Sequence, residues 1–347
     1  MKAMVVRKPG GLEAMRLEDV PDPVPGAREV LIEVEACGVC FHDLLTRNGT
    51  LKAGVRMPCV LGHEISGTVV DAGKDVSQFK RGDRVATTQR YYLCGGCRFC
   101  RTGRESLCPE RKFLGDWGMV GGYAEYVAVS DDNVARVPDG VPLAEASIAG
   151  CALGTVLNGI RDVGRVGVGE TVLVTGAGGG VGLHAVQLAR LAGAFVIAQT
   201  TSPQKAALIQ EHGAHEVVIH ARDVDFSSRV KQLTQLRGVD VVVDNVGTPL
   251  FEPTRKSLGV GGRWILIGQL TGDFVPFNPA QLFLKNQSML AVTSTSRVQL
   301  EDVLAMLGRG QIRTVISKSL PLEAAAEAHA MIEAGRAAGR IILRPRG

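Results

Sequence analysis

The stretch TVLVTGAGGGVGLHAVQLA, residues 171–189, decides the fold. Its opening TVLV is a short apolar, β-branched run, then come five closely spaced glycines, then apolar residues at helical spacing. A strand covered on both faces by helices reads this way, because it needs no polar alternation. Gly176, Gly179, Gly180 and Gly182 follow a G-x-x-G-G-x-G pattern rather than the strict G-x-G-x-x-G. A glycine turn between strand and helix start offers backbone N–H groups and the positive end of a helix dipole to a pyrophosphate. The stretch therefore predicts a dinucleotide-binding strand–turn–helix unit.

Outward from it the same alternation continues. FVIAQ at 195–199, EVVIH at 216–220, VDVVVDNV at 239–246 and GRWILIGQ at 262–269 are strand-like, and KAALIQEHGA at 205–214 has helical spacing. Strand and helix in turn predict a doubly wound parallel sheet over 153–288. Before it, EVLIEVEACG, EISGTVVDAG, GDRVATT, YAEYVAV and VARVPDG are short strand signals broken by Gly, Pro and Asp. That spacing predicts a β-barrel-type domain over 1–152. Residues 289–347 are short for a domain of their own and are expected to pack back onto the first.

A chain of 347 residues suits two domains. Its 39 basic and 35 acidic residues leave only +4, without a basic run or a basic-aromatic stripe, so no nucleic-acid partner is expected. No apolar run suits a signal peptide or a membrane span, and a cytoplasmic protein is expected. Eight cysteines in such a chain point to ligands rather than disulfides. Cys94, Cys97, Cys100 and Cys108, within a lobe at 91–110, have a C-x2-C-x2-C-x7-C spacing that lets four thiolates converge on one tetrahedral ion. Four thiolates would also hold an iron–sulfur cluster. A zinc so enclosed has no open position, so the chemistry must lie elsewhere. Cys40, the adjacent His63 and Glu64, and Cys151 are candidates that, singly, also read as buried core residues.

Taken in order, CGVCFHDLLTRNG, MPCVLGHEISGTVVDAG, the four-cysteine lobe, GGYAEYVAV and GCALGT before the glycine turn resemble the zinc-containing medium-chain dehydrogenase/reductase superfamily from end to end. The resemblance implies a GroES-like catalytic domain beside a Rossmann domain. It further implies a catalytic zinc on Cys40, His63 and Cys151, with Glu64 a nearby or exchanging ligand. Asp43 matches the carboxylate that orients a ligating imidazole. Thr155 is expected at the nicotinamide, Val181, Val246 and Gly268 along the dinucleotide, and Arg340 at its pyrophosphate.

No acid follows the second strand, where an NAD site places one. Gln199, Thr200, Thr201, Ser202 and Lys205 instead offer neutral or positive donors, so NADP(H) is expected over NAD(H). The ligand set resembles an alcohol dehydrogenase. VTGAGGGVGLHAVQLARLAGAFVIAQTTS and DNVGTPLFEPTRKSLGVGGR look more like archaeal acryloyl-CoA reductases and quinone reductases. His42 replaces the usual Ser or Thr proton carrier and can relay a proton, whereas Phe41 cannot donate one to an enolate. The expected reaction is hydride transfer between a nicotinamide and a zinc-polarised alcohol or carbonyl. Reduction of a conjugated C=C bond is the alternative. A homodimer or homotetramer is expected, with SMLAV at 288–292 as a candidate edge.

Overall fold

A computed structural model describes residues 1–221 and 224–346. The chain forms two compact units, Met1–Gly154 with Ser294–Gly347, and Thr155–Thr293. The sequence boundary at 288/289 falls inside a strand. Ser288–Ala291 pairs with Leu258–Leu266, which keeps the chain in the second unit for five residues more.

The second unit is built on six parallel strands, in the order 216–219, 195–200, 171–174, 239–244, 258–266 and 288–291. The strand order reverses between 195–200 and 239–244, which flank Thr171–Val174, so the glycine turn leaves the sheet at its switch point. Leu173, Ile197, Val242 and Trp264 form its buried core. Gly176 has φ +59°, a conformation that favours glycine, and helix Gly182–Leu191 follows.

In the first unit, the 11-residue strand Glu29–Val39 organises a seven-stranded sheet. It pairs with Glu64–Ala72, with Tyr126–Ser130 at its start and with Arg340–Arg344 at its end. Alternate residues Val30, Ile32 and Val34 are buried, as expected of a strand with one face on a core. The register sets Gly38 opposite Glu64 and Val39 opposite Ile341. Cys40, the His63–Glu64 pair and Arg340 therefore meet at one end of three neighbouring strands. A side chain at Gly38 would overlap the Glu64 carboxylate, so only glycine fits there. Among the described residues, no helix is long and apolar enough to cross a membrane.

Candidate active site

Cys40 ends the central strand and opens helix Phe41–Asn48, whose third residue, Asp43, returns a carboxylate oxygen to the Cys40 N–H at 2.9 Å. This capping arrangement fixes where the strand stops and aims the Cys40 sulfur off the sheet end. Cys151 lies in a π-helical turn, Ala149–Leu153. Such turns are rare and concentrate at functional positions. The ligand atoms of Cys40, His63, Glu64 and Cys151 all lie within 4.8 Å of one another, and all four residues are buried.

The donor set suits a divalent cation. With both cysteines as thiolates and Glu64 ionised, three negative charges converge, and one cation stands among them. The Arg340 guanidinium donates to both Glu64 oxygens, at 3.0 Å through Nε and more closely through Nη2. Arg340 Nη2 also lies 3.4 Å from the Cys40 sulfur and 3.9 Å from that of Cys151. One positive charge against three leaves the centre net negative, as suits a divalent cation such as zinc. Without metal, the Cys151 thiol bonds to Cys40 and holds its pKa well below the usual thiol value. The same contact, with burial, pushes Cys151 up. Burial raises Glu64 despite the pull of Arg340.

Behind His63 runs a chain of buried hydrogen bonds. His63 Nδ1 lies 3.2 Å from Asp43 Oδ1, off the axis of a regular hydrogen bond, which leaves Nε2 for the sulfurs. Burial favours a neutral Asp43, but His63 beside it holds the pKa below the ordinary value. Tyr123 donates its hydroxyl to Asp43 Oδ2 at 3.2 Å, and its oxygen lies 3.0 Å from His329 Nε2. Arg47 approaches His329 Nδ1 at 3.4 Å and pairs with Glu333. Burial pushes His329 down to about 4, so it is neutral. With Nδ1 accepting from Arg47, Nε2–H donates to Tyr123, and every bond in the chain points toward Asp43.

On the other side stands His42. Its ring meets the His63 ring edge-on, with centroids 5.1 Å apart, and Nε2 bonds both oxygens of Asp116 at 2.8 and 2.9 Å. Thr46 also donates to Asp116, at 2.9 Å. Burial alone would lower the His42 pKa, but the Asp116 carboxylate raises it above the ordinary value. The His42 side chain is 34% exposed, against 8% for Asp116 and 5% for His63.

The four-cysteine lobe is closed at its base by two short strands pairing Arg90 with Phe113 and Tyr92 with Lys112. Sulfur separations are 3.5 Å for Cys94–Cys108, 3.6 Å for Cys97–Cys100 and 4.0 Å for Cys94–Cys100. A tetrahedron with bonds of about 2.3 Å has edges of about 3.8 Å, so these spacings suit one zinc ion and leave no room for a multi-iron cluster. The backbone N–H of Cys100 lowers the Cys97 pKa to about 7.

In the second unit, Gly176, Val246 and Gly268 gather at the ends of neighbouring strands. A side chain at Gly176 would come within 2.9 Å of Val246, and one at Gly268 within 2.5 Å of the Asn245 carbonyl. Asp244, which the sequence did not single out, organises this corner. It is fully buried and accepts from the Thr175 hydroxyl, the N–H groups of Val246 and Gly247, and the Trp264 indole. Helix Gly182–Leu191 starts directly after Gly179, Gly180 and Val181. Gln199 is not available to a cofactor phosphate, since its oxygen accepts from Gly176 N–H and its amide nitrogen meets His220. Thr201 and Ser202 are exposed or half-buried beyond the strand end. Thr200 is buried and accepts from the Ser202 N–H at 3.2 Å. The Lys205 stem crosses the glycine turn, 2.7 Å from where a Gly178 side chain would begin. Thr155 is buried in helix Gly154–Leu157.

Residues 26–139 match the alcohol dehydrogenase GroES-like domain family, and residues 180–309 the zinc-binding dehydrogenase family. The chain is 35% identical to the acryloyl-coenzyme A reductase of Sulfurisphaera tokodaii, over 99% of this chain and 100% of that protein. The solved structure of AibC is 42% identical, with a TM-score of 0.91 over 100% of this chain and 96% of that one. That of an NAD-dependent alcohol dehydrogenase is 34% identical, with a TM-score of 0.92 over 99% of both.

Proposed function

Since the chain belongs to the zinc-binding dehydrogenases of the medium-chain dehydrogenase/reductase superfamily, we propose that it transfers hydride between NADP(H) and the alcohol or carbonyl carbon of a small molecule seated at Cys40, His63 and Cys151. The observation that carries this reading is the buried set of two sulfurs, an imidazole and a carboxylate, with His42 at its exposed edge. When bound, zinc supplies Lewis acidity to a substrate oxygen and the dinucleotide supplies the hydride.

The remaining work falls to side chains. Asp43 keeps the proton of His63 on Nδ1, so that Nε2 presents its lone pair. Asp116 holds the proton on His42 Nε2, which leaves Nδ1 as the atom that takes or gives a proton as substrate oxygen changes charge. Arg340 balances Glu64, and if Glu64 turns toward the metal, Arg340 is released to reach a cofactor pyrophosphate. In the second unit, the acid-free end of strand Phe195–Thr200 and the nearby Lys205 support a 2′-phosphate. Four thiolates at Cys94, Cys97, Cys100 and Cys108 hold a second, structural zinc.

A second reading, reduction of a conjugated C=C bond, is favoured by the likeness to an acryloyl-coenzyme A reductase and by Phe41, which has no proton to give. The two separate in one experiment: NADPH consumption by wild type and Cys40→Ser on aldehydes, ketones, enones and enoyl thioesters. Carbonyl turnover lost in Cys40→Ser supports the first reading. Retained double-bond reduction, with no alcohol oxidation by wild type, supports the second.

A further inference from the structure

We propose that the cavity beside Asp116 receives an oxyanion carried by the substrate, a carboxylate or a phosphoryl group. The enzyme would then act on negatively charged carbonyl compounds in preference to simple alcohols. The inference rests on the reading that substrate reacts beside Cys40 and His63.

The cavity, about 260 Å³, lies wholly in the first unit and is lined by Gly54, Arg111, Lys112, Phe113, Asp116 and Trp117 among others. This is just below the volume of a drug-sized ligand site, and it suits a charged group with a few attached atoms rather than a whole dinucleotide. Two of the lining side chains are cationic, and a third cation, Arg56, lies 4.1 Å over the Trp117 ring. Among the described residues none of the three makes an ion pair with a carboxylate. Lys112 Nζ lies 5.2 Å from the Trp117 centroid and 5.1 Å from that of Tyr92. Aromatic faces hold an ammonium in place without neutralising it.

Arg111 gives one N–H to the Cys108 carbonyl at 2.9 Å, while its buried Nε has no hydrogen-bond partner. A buried donor left unmet is costly, and it leaves the Arg111 guanidinium with hydrogen-bonding capacity that the protein does not use. Asp116, the carboxylate among the described lining residues, accepts from His42 and Thr46, and the two lining cations outnumber it. That same residue connects the cavity wall to the candidate metal ligands. Asp116 touches His42, and the His42 ring meets the ring of His63. In this proposal an anion in the cavity anchors one end of a substrate that reaches past His42 toward the candidate metal ligands. A planar guanidinium and an ammonium at one wall are the pair that recognises carboxylate or phosphate oxygens.

Fluorescence offers a direct test on the zinc-loaded enzyme, because Trp117 lines the cavity and the other tryptophan, Trp264, is fully buried in the second unit. Titration with coenzyme A, pyrophosphate and succinate should quench emission saturably. Arg111→Gln and Lys112→Gln should each weaken binding about tenfold, and Lys112→Arg should restore most of it. Quenching by the first two ligands alone identifies a phosphoryl group, and quenching by succinate alone a carboxylate. In turnover, the ratio of KM for an enoyl-CoA ester to KM for its uncharged N-acetylcysteamine thioester should rise about tenfold in the glutamine variants, as should the ratio for carboxylated against plain aldehydes. No quenching in wild type, or binding that the Arg111→Gln/Lys112→Gln double variant leaves intact, overturns the proposal. Binding without a change in either KM ratio also overturns it, because the anion would then not belong to the substrate. Should no compound be turned over, the proposed function fails, whereas the titrations still decide whether the cavity binds an oxyanion. Zinc content of two per chain in the variants verifies that they are folded.

Discussion

Replacing Tyr123 with Phe should damage metal binding at a distance. The hydroxyl is fully buried, donates to Asp43 at 3.2 Å and lies 3.0 Å from His329 Nε2. Phe fills the same space but leaves the His329 N–H with no acceptor, at a cost of about 1–3 kcal/mol, and removes a bond to a charged carboxylate worth about 1.5 kcal/mol or more. For a unit of this size, each kcal/mol lowers Tm by roughly 2–4 °C, so a fall of about 5–18 °C is expected. Asp43 keeps the Cys40 N–H and the His63 contact, but is held less firmly, and zinc affinity at Cys40, His63 and Cys151 should drop at least about tenfold. Competition with a chromogenic chelator resolves the two metals kinetically, and the four-cysteine site is the internal control. The Tyr123→Phe and His329→Gln double-mutant cycle should show coupling, since the two residues share one bond. An unchanged Tm, or zinc loss from both sites equally, would refute the donor chain as the support of His63.

Purified protein should contain two zinc ions per chain, one resistant to chelators at the four cysteines and one removable with loss of activity; a single zinc with full activity would contradict the catalytic assignment. Asp116 holds the His42 pKa above its ordinary value, so alcohol oxidation should rise with pH through that pKa and carbonyl reduction fall; Asp116→Asn should move both limbs to lower pH, and unmoved limbs would exclude His42 as proton carrier. Wild type should have a lower KM for NADPH than NADH, and Thr200→Asp should shift preference toward NADH by placing a ribose acceptor at the strand end; equal use of both by wild type would count against a 2′-phosphate site. Strand Ser288–Ala291 is an outer strand of its sheet, so light scattering should show a dimer or tetramer, and a purely monomeric species would exclude pairing across that edge.

What could be read in the sequence was local in the chain. The four cysteines and the glycine turn announce themselves because their spacing is set by one loop or one strand-to-helix junction, and the structure gathers both sets within short reach. Most of the parallel sheet was legible for the same reason, since its inner strands carry short apolar runs such as TVLV, FVIA and VVV. What escaped was joined by the fold alone. Asp116 lies 74 residues from His42, and Tyr123 lies 206 from His329 in an alanine-rich helix that reads as packing. Asp244 looked like the polar end of a strand, yet it is fully buried and satisfied by four donors. The domain boundary shifted to 293 because a four-residue edge strand has too few residues to declare its partner.

The pairing of Arg340–Arg344 with the central strand has a consequence for the protein during its synthesis. Cys151 precedes Arg340 by 189 residues, an interval of roughly 10–40 s at ordinary translation rates. For most of it, Cys40, His63, Glu64 and then Cys151 have emerged while the guanidinium that balances them has not been made. The second unit, Thr155–Thr293, is contiguous and emerges in that interval. On the proposed assignment of zinc to this site, the nascent first unit waits with two thiols and no counter-charge, a state in which metal capture would compete with oxidation of sulfur. Early metal capture would then protect both cysteines before the arginine strand arrives to close the centre.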